Sequence, residues 1–210
     1  MKISKSNYSK IADYYDKVRH IRADVWIPRI IQYGKIENRS LVLDVGCGTG
    51  SFARSLLSLR SATIFSIDNS LKMLKKASAK NKTRKIHWIL SDAHKLPFKN
   101  NCFDCVYMTL VVHHFENKEL ALQEVYRALK KGGSCVIMTH SHYRIKRHFL
   151  RDFPGITAID LKRFPSIPFL KILMEKIGFK NVHSHLASKT KDTLQLLKSW
   201  KRSKTSSSQP

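Results

Sequence analysis

Acidic residues are scarce in this chain of 210 residues: 15 Asp and Glu stand against 39 Lys and Arg, a formal net charge of +24. A long apolar run is also missing. The longest charge-free apolar stretch, residues 105–115, is too short to span a bilayer and contains two His, so no membrane span is expected. The N-terminus, MKISKSNYSKIADYYDK, lacks the apolar segment that a secretory signal needs. These absences lead us to expect a soluble, cytoplasmic protein. Cysteine is sparse as well, with Cys47, Cys102, Cys105 and Cys135. A disulfide scaffold does not suit a domain of this length without an export signal. Cys102 and Cys105 have the C-x-x-C spacing, but they lead into an apolar run. In an extended segment residues three apart face opposite ways, so we expect two buried thiols and no metal site. No internal repeat is present.

What remains is enough for a core. Hydrophobic residues make up 42% of the chain, with ten Phe, seven Tyr and three Trp, which suits one α/β domain. The positive excess is spread along the chain, not gathered in one block. Both a Lys-rich solvated surface and a surface for a polyanion such as RNA fit it, and charge alone does not choose between them.

The pattern along the chain alternates. Residues 1–40 read as helical, with Tyr8, Tyr14, Tyr15 and an apolar patch from Val25 to Ile31, in which Pro28 marks a break or a first turn. Leu41–Val45 is a short apolar strand. Gly46-Cys-Gly-Thr-Gly50 follows at once, and Phe52, Leu56, Leu57 and Leu59 place a helix behind it. Thr63–Ile67 is a second strand, and Asn69 or Ser70 can cap a helix through Leu71, Met73, Leu74 and Ala77. Further strands are expected at Ile86–Leu90, from Asp104 to Met108, and at Ser134–Thr139, with a helix over Leu120–Leu129 closed by Lys130–Gly133. Strands alternating with helices imply parallel βαβ units and a Rossmann-like, doubly wound, mostly parallel sheet with helices on both faces. Past Thr139 the pattern loosens. Residues 141–165 are basic and aromatic, Ile167–Ile177 is amphipathic, and Asn181–Leu186 is strand-like.

A strand, a glycine turn and a helix make a nucleotide-binding arrangement. The dinucleotide fingerprint needs a third glycine at position 51, where this chain has Ser51. A tight turn without a pyrophosphate to cradle suits a nucleoside ligand. Leu43-Asp-Val-Gly-Cys-Gly-Thr-Gly50 resembles the first motif of class I S-adenosylmethionine-dependent methyltransferases. The resemblance continues in register through Phe65-Ser-Ile-Asp68, Ser91-Asp92-Ala-His-Lys-Leu-Pro-Phe98, Phe103–His114 and Leu129–Gly133, over residues 41–139. It implies the class I fold and S-adenosylmethionine as cofactor. It further implies that Asp44, Gly46, Cys47, Gly48, Gly50, Asp68, Asn69, Asp92, Ala93 and Thr109 surround that cofactor. Asp68 would accept from both ribose hydroxyls, as a carboxylate can, and Asp92 from the adenine amino group. Tyr14 and Tyr15 would form a lid, or pack an N-terminal helix onto the sheet.

The acceptor side is less determined. Methyl transfer from a sulfonium needs alignment and, for some acceptors, removal of a proton. Candidates after the fourth and fifth strands are Thr109, His113, His114, His140, His142 and Tyr143. His114 is the first choice as base, by resemblance to ubiquinone-pathway methyltransferases, and His113 the second. A small-molecule acceptor is the leading expectation. RNA is the alternative, with Arg144, Lys146, Arg147 and Arg151 as backbone contacts, and a cofactor-binding module without turnover is a third reading. The expected division is a helical lid over 1–40, the methyltransferase domain over 41–188 with 141–165 covering the substrate, and a basic C-terminal helix with a disordered tail over 189–210. On that reading the last strand of the sheet is missing, because Lys189–Lys204 reads as a helix.

Overall fold

The computed structural model describes residues 23–81, 83–147, 155–186 and 195–201. Tyr14, Tyr15 and Arg151 lie outside them. Helix α1 (Ala23–Gly34) leads into strand β1 (Leu41–Val45), followed by α2 (Ser51–Leu59), β2 (Thr63–Asp68), α3 (Leu71–Ala79) and β3 (Ile86–Leu90). Strand β4 (Phe103–Thr109) ends in a 3-10 turn over Val112–His114; α4 (Lys118–Ala128) and β5 (Leu129–Thr139) follow. Then come α5 (His142–Ile145), α6 (Ile156–Arg163), α7 (Ile167–Ile177), β6 (Phe179–Leu186) and β7 (Gln195–Lys201). No helix among the described residues is long and apolar enough to cross a membrane.

The seven strands form one sheet in the order β3-β2-β1-β4-β5-β7-β6. Strands β1 to β5 pair in parallel, and β7 runs antiparallel to both β5 and β6. The chain moves outward from β1 to β3 and then crosses back to β4 on the other side of β1. The carboxyl ends of β1 and β4 therefore flank the point where the strand order reverses, which is where open α/β sheets bind ligands.

Alternation along the strands supplies a core on each face. On one face Val42, Ile64, Cys105, Tyr107, Val136 and Met138 meet Trp26, Ile27, Ile30 and Ile31 of α1 and Phe52, Ala53 and Leu56 of α2. On the other, Leu43, Val45, Val106, Met108 and Ile137 meet Leu122 and Val125 of α4 and Leu170, Leu173 and Met174 of α7. Helix α1 is thus part of the core, since Ile27 and Ile30 are fully buried. Pro28 lies inside α1 and does not break it, although its ring removes one intrahelical donor. Ser70, not Asn69, caps α3, its hydroxyl accepting from the Met73 amide at 3.4 Å. Helix α4 starts two residues before the expected Leu120, capped by Asn117, and β5 begins directly at Leu129, with an irregular register between its pairings to Phe103 and Cys105.

The expected C-terminal helix is not formed over Gln195–Lys201. Those residues are strand β7, so the sheet is not missing its last strand. The Leu194, Leu196, Leu197 and Trp200 pattern was read with a helical period. β7 pairs with β5 on one side and β6 on the other, and periodicity alone does not separate a short apolar strand from a helix segment. The thiol pair also separates. Cys105 is fully buried in β4, whereas Cys102 is partly exposed before it and places its sulfur 3.1 Å from the Lys99 carbonyl.

Because β7 is the sole sheet partner of β6 and covers the edge of β5, ending the chain at residue 190 should strip both. We expect the truncated protein to aggregate or to lose its cooperative thermal transition, measured by circular dichroism. A two-state transition within a few degrees of the full chain's would show that the sheet does not need β7.

Candidate cofactor and acceptor site

The turn after β1 is held by its own backbone. Gly46, Gly48 and Gly50 have φ of 72°, 55° and 75°, a region that side chains with a Cβ rarely adopt. The Gly46 and Cys47 amides both donate to the Ile67 carbonyl, at 2.8 and 2.9 Å, which pins the turn to the end of β2. Two glycines are needed for packing against protein. A Cβ at Gly46 would lie 2.3 Å from Val111, and one at Gly50 would lie 2.3 Å from the Trp88 ring. The sequence suggested that the glycines make room for a ligand; at these two positions they make room for Val111 and Trp88.

Asp68 ends β2 and faces the turn. Its Oδ2 accepts from the Gly48 amide at 2.8 Å and its Oδ1 from the Ser70 amide at 2.9 Å. Burial raises its pKa, and the Ser70, Gly48 and Asn69 amides hold that rise back. Asp44 is fully buried in β1, in register with Ser66 of β2 and Tyr107 of β4, so the three side chains share the face that α1 and α2 cover. Neither Asp44 oxygen has a hydrogen-bond partner, and neither do the Ser66 and Tyr107 hydroxyls. Burial pushes the Asp44 carboxyl up to about 8. The Tyr107 hydroxyl lies close enough to temper this without reaching hydrogen-bond geometry, and the Asp68 charge adds to the rise. Burial likewise raises the Cys47 thiol well above its usual range.

Asp92 follows β3. Its Oδ1 accepts from the His94 amide at 2.9 Å and lies 2.6 Å from His94 Nδ1. Ala93 is buried beside it. The loop beyond is clamped to α4 by a bidentate pair. Arg127 meets Glu124 at 2.7 and 2.8 Å and donates to the Leu96 and Phe98 carbonyls, while Glu124 accepts from the Leu96 amide. The Arg127 hydrogen bond keeps the Glu124 carboxyl below its usual range.

Thr109 is buried at the end of β4. Leu110 then takes a left-handed φ of 52°, and its amide donates to the Met138 carbonyl at 2.8 Å. This sharp bend turns the chain so that Val111 meets the glycine turn and His113 and His114 head toward β5. His113 stacks on Phe164 with ring centres 3.9 Å apart and an interplanar angle of 25°. It also lies 3.9 Å from the His114 ring. His140 meets Phe164 edge-on at 5.4 Å, and His142 Nε2 lies 2.7 Å from the Phe164 carbonyl. Arg163 Nη2 sits 3.1 Å and 3.2 Å from the two ring nitrogens of His114. Three of the four His candidates thus meet Phe164, and His114 joins them through His113 and Arg163. Tyr143 does not join them: it is 64% exposed, with the Arg147 guanidinium 4.0 Å over its ring. Helix α5 ends at Ile145, and the chain turns on through Lys146, with the Arg147 amide donating to the Arg144 carbonyl at 2.9 Å.

The sequence did not single out Tyr107, His94, Arg163 or Phe164. Arg163 and Phe164 lie at the end of the basic and aromatic segment 141–165, with nothing local to mark them. Two surface cavities, of about 450 Å³ by Arg60 and Lys85 and about 620 Å³ between α4 and α7, include no residue of the glycine turn. Among the described residues no group of His, Cys, Asp and Glu is arranged to hold a metal.

The sequence profile of the methyltransferase domain family matches residues 43–137, which run from β1 into β5. The ubiquinone/menaquinone biosynthesis C-methyltransferase UbiE of Blochmanniella floridana is 28% identical over 205 residues, covering 83% of this chain and 81% of the relative. Residues 43–137 carry a methyltransferase domain, and its motifs and relatives support the class I, S-adenosylmethionine-dependent type. Solved structures support the fold of this methyltransferase. Phosphoethanolamine N-methyltransferase 2 of Haemonchus contortus, in complex with S-adenosyl-L-methionine, superposes with a TM-score of 0.69 at 17% identity, covering 91% of this chain and 60% of that one. The [4+2]-cyclase SpnF reaches 0.76 at 14% identity, covering 94% and 95%, so the fold taken alone does not name the reaction.

Two expectations follow from the geometry. The unfolded Asp44 ionises near its ordinary value of 3.8, and the folded one near 8. Between those values the folded state holds a proton that the unfolded state has lost, so stability falls as pH rises from about 4 to about 8 and levels off above that. Asp44→Asn should remove most of this decline, on the order of several kcal/mol in urea midpoints compared at pH 5 and pH 8. Asp68, shifted in the same direction, accounts for what remains. Gly46→Ala should destabilise by about 2 kcal/mol or more, and Val111→Ala should recover part of it, measured by the same denaturation.

Proposed function

We propose that this methyltransferase acts on a small aromatic acceptor, a ring activated by a hydroxyl, seated at the carboxyl ends of β4 and β5. The observation that carries the reading is the ring cluster at Phe164: His113 and Phe164 are buried against each other, and the half-buried His114, His140, His142 and Arg163 border them. Half-buried rings around an aromatic core favour a flat partner. The Blochmanniella floridana relative, a C-methyltransferase of ubiquinone and menaquinone biosynthesis, matches over most of its length and supports the same class of acceptor.

The residues around the glycine turn suit the cofactor. Asp68 gives two of a carboxylate's four acceptor positions to backbone amides and keeps capacity for ribose hydroxyls. Asp92 is placed to accept from the adenine amino group. Asp44, with both oxygens unpartnered beneath the turn, offers a carboxylate to a cationic ligand, and a positive charge beside it would favour the ionised form. When bound, S-adenosylmethionine supplies an electrophilic methyl group on a sulfonium. The chain aligns the acceptor ring against the half-buried rings of His114, His140 and His142 that border Phe164. Arg163 Nη2 stands within 3.2 Å of both His114 nitrogens, and a neutral imidazole has one lone pair, so the guanidinium must leave that nitrogen when His114 takes a proton. We assign His114 to take the proton that the acceptor hydroxyl releases, with His113 supporting its ring.

Asp68→Ala should weaken S-adenosylmethionine binding a hundredfold or more in calorimetric titration, because bonds to a charged acceptor are lost. His114→Ala should lower kcat about a hundredfold and leave cofactor affinity unchanged, as expected for the loss of a general base. The acceptor class is tested by incubating the protein with methyl-labelled cofactor and a short-chain quinol lacking its ring methyl, beside purified RNA. Label in the quinol supports the proposal; label in RNA, abolished by moderate salt, would overturn it.

A further inference from the structure

We propose that His94 is a positioning residue for the cofactor's adenine: it fixes the Asp92 carboxylate and carries that restraint to the first turn of α4. The proposal rests on the reading of Asp92 as the acceptor for the adenine amino group.

Asp92 needs such a partner. Its side chain is 65% exposed, and an exposed carboxylate samples several rotamers, so each contact it makes must offset that freedom. Here a single neighbour grips it twice. The His94 amide donates to Oδ1 at 2.9 Å, and the His94 ring nitrogen Nδ1 meets the same oxygen at 2.6 Å. Committing one oxygen to two donors sets the plane of the carboxylate and therefore the direction in which the other oxygen points.

The other end of the ring explains why it is oriented. His94 Nε2 lies 3.3 Å from the amide of Asn117. A backbone amide can only donate, so Nε2 is the acceptor and the proton of the neutral ring is on Nδ1, facing Asp92. Asn117 is the N-cap of α4, and its Oδ1 accepts from the Leu120 amide at 3.0 Å. In a capping box the N3 side chain reaches back to the amide of the cap residue. The N3 residue here is Leu120, which has no acceptor, and His94 supplies one from 23 positions earlier. The Phe115 ring meets His94 edge-on at 5.8 Å and closes the side toward the His113–His114 turn. One imidazole thus joins the adenine contact to the helix that begins just after that turn.

Calorimetry with S-adenosylhomocysteine and with S-inosylhomocysteine, whose ring carries a carbonyl where adenine has its amino group, tests this. The ratio of the two affinities reports the amino-group contact and not general stability. The wild-type protein should prefer the adenine ligand roughly tenfold or more. His94→Phe keeps a flat ring beside Phe115 but loses both nitrogens, and should bring the ratio to within about threefold of unity. His94→Asn places an amide donor near the Nδ1 position and should restore most of the preference. Asp92→Ala should abolish it. If Asp92→Ala abolishes the preference while His94→Phe leaves it at the wild-type value, the positioning role is wrong and the reading of Asp92 stands. If Asp92→Ala changes nothing, both fall. The ring tautomer is a check that needs no variant: nitrogen-correlated NMR of the wild-type protein should show the His94 proton on Nδ1. A proton on Nε2 would overturn the proposal.

Discussion

The Asp68 carboxylate accepts one hydrogen bond from Gly48 and another from Ser70, and through these two amides it joins two separate parts of the chain. One amide belongs to the turn after β1 and the other to the residue that caps α3. The Gly46 and Cys47 amides, donating to the Ile67 carbonyl one residue earlier, reinforce the same junction. A turn with three positive φ values gains nothing from ordinary backbone preference and must be held by such bonds. The carboxylate thus shapes the turn before any ligand enters, and it retains acceptor positions that face the same space.

Asp44 shows the cost of preparing that space. A carboxyl that is fully buried, with neither oxygen bonded, is unfavourable in the isolated protein. The cores on either side of the sheet offset it. Residues Ile27, Ile30 and Leu56, all fully buried, cover one face, and the packing of α4 and α7 covers the other. Local polar strain within a well-packed scaffold is typical of sites where binding restores the missing interactions.

The acceptor side is built differently. His113 and His114 come from the end of β4, His140 and His142 from the end of β5, and Arg163 and Phe164 from the end of α6. Each strand end delivers two of them, and the left-handed Leu110 aims the first pair. Phe164 gives them a common surface. The Glu124–Arg127 clamp keeps the loop after Asp92 against α4, the helix that follows the His113–His114 turn. Among the described basic residues Arg163 meets these rings, whereas Arg147 lies over the exposed Tyr143 ring.

Much of the cofactor side was legible in the sequence, because it depends on short-range constraints. A strand, three glycines at alternate positions and a helix leave few alternatives. The acids at 44, 68 and 92 sit at or just beyond strand ends, which the apolar pattern marks. The acceptor side was legible only as residue types. His113, His114, His140 and His142 were candidates, but Phe164 and Arg163, around which they gather, lie some 20 to 50 positions away along the chain. The sequence alone also could not show that Gly46 and Gly50 are required by Val111 and Trp88, since neither neighbour is local. Nor could it tell that residues 195–201 pair as β7, because a short apolar run fits a strand or a helix until its sheet partners are known. Local pattern and turn chemistry were therefore written in the residues themselves. Which strand fills the last gap in the sheet, and which rings meet above it, was decided by long-range pairing.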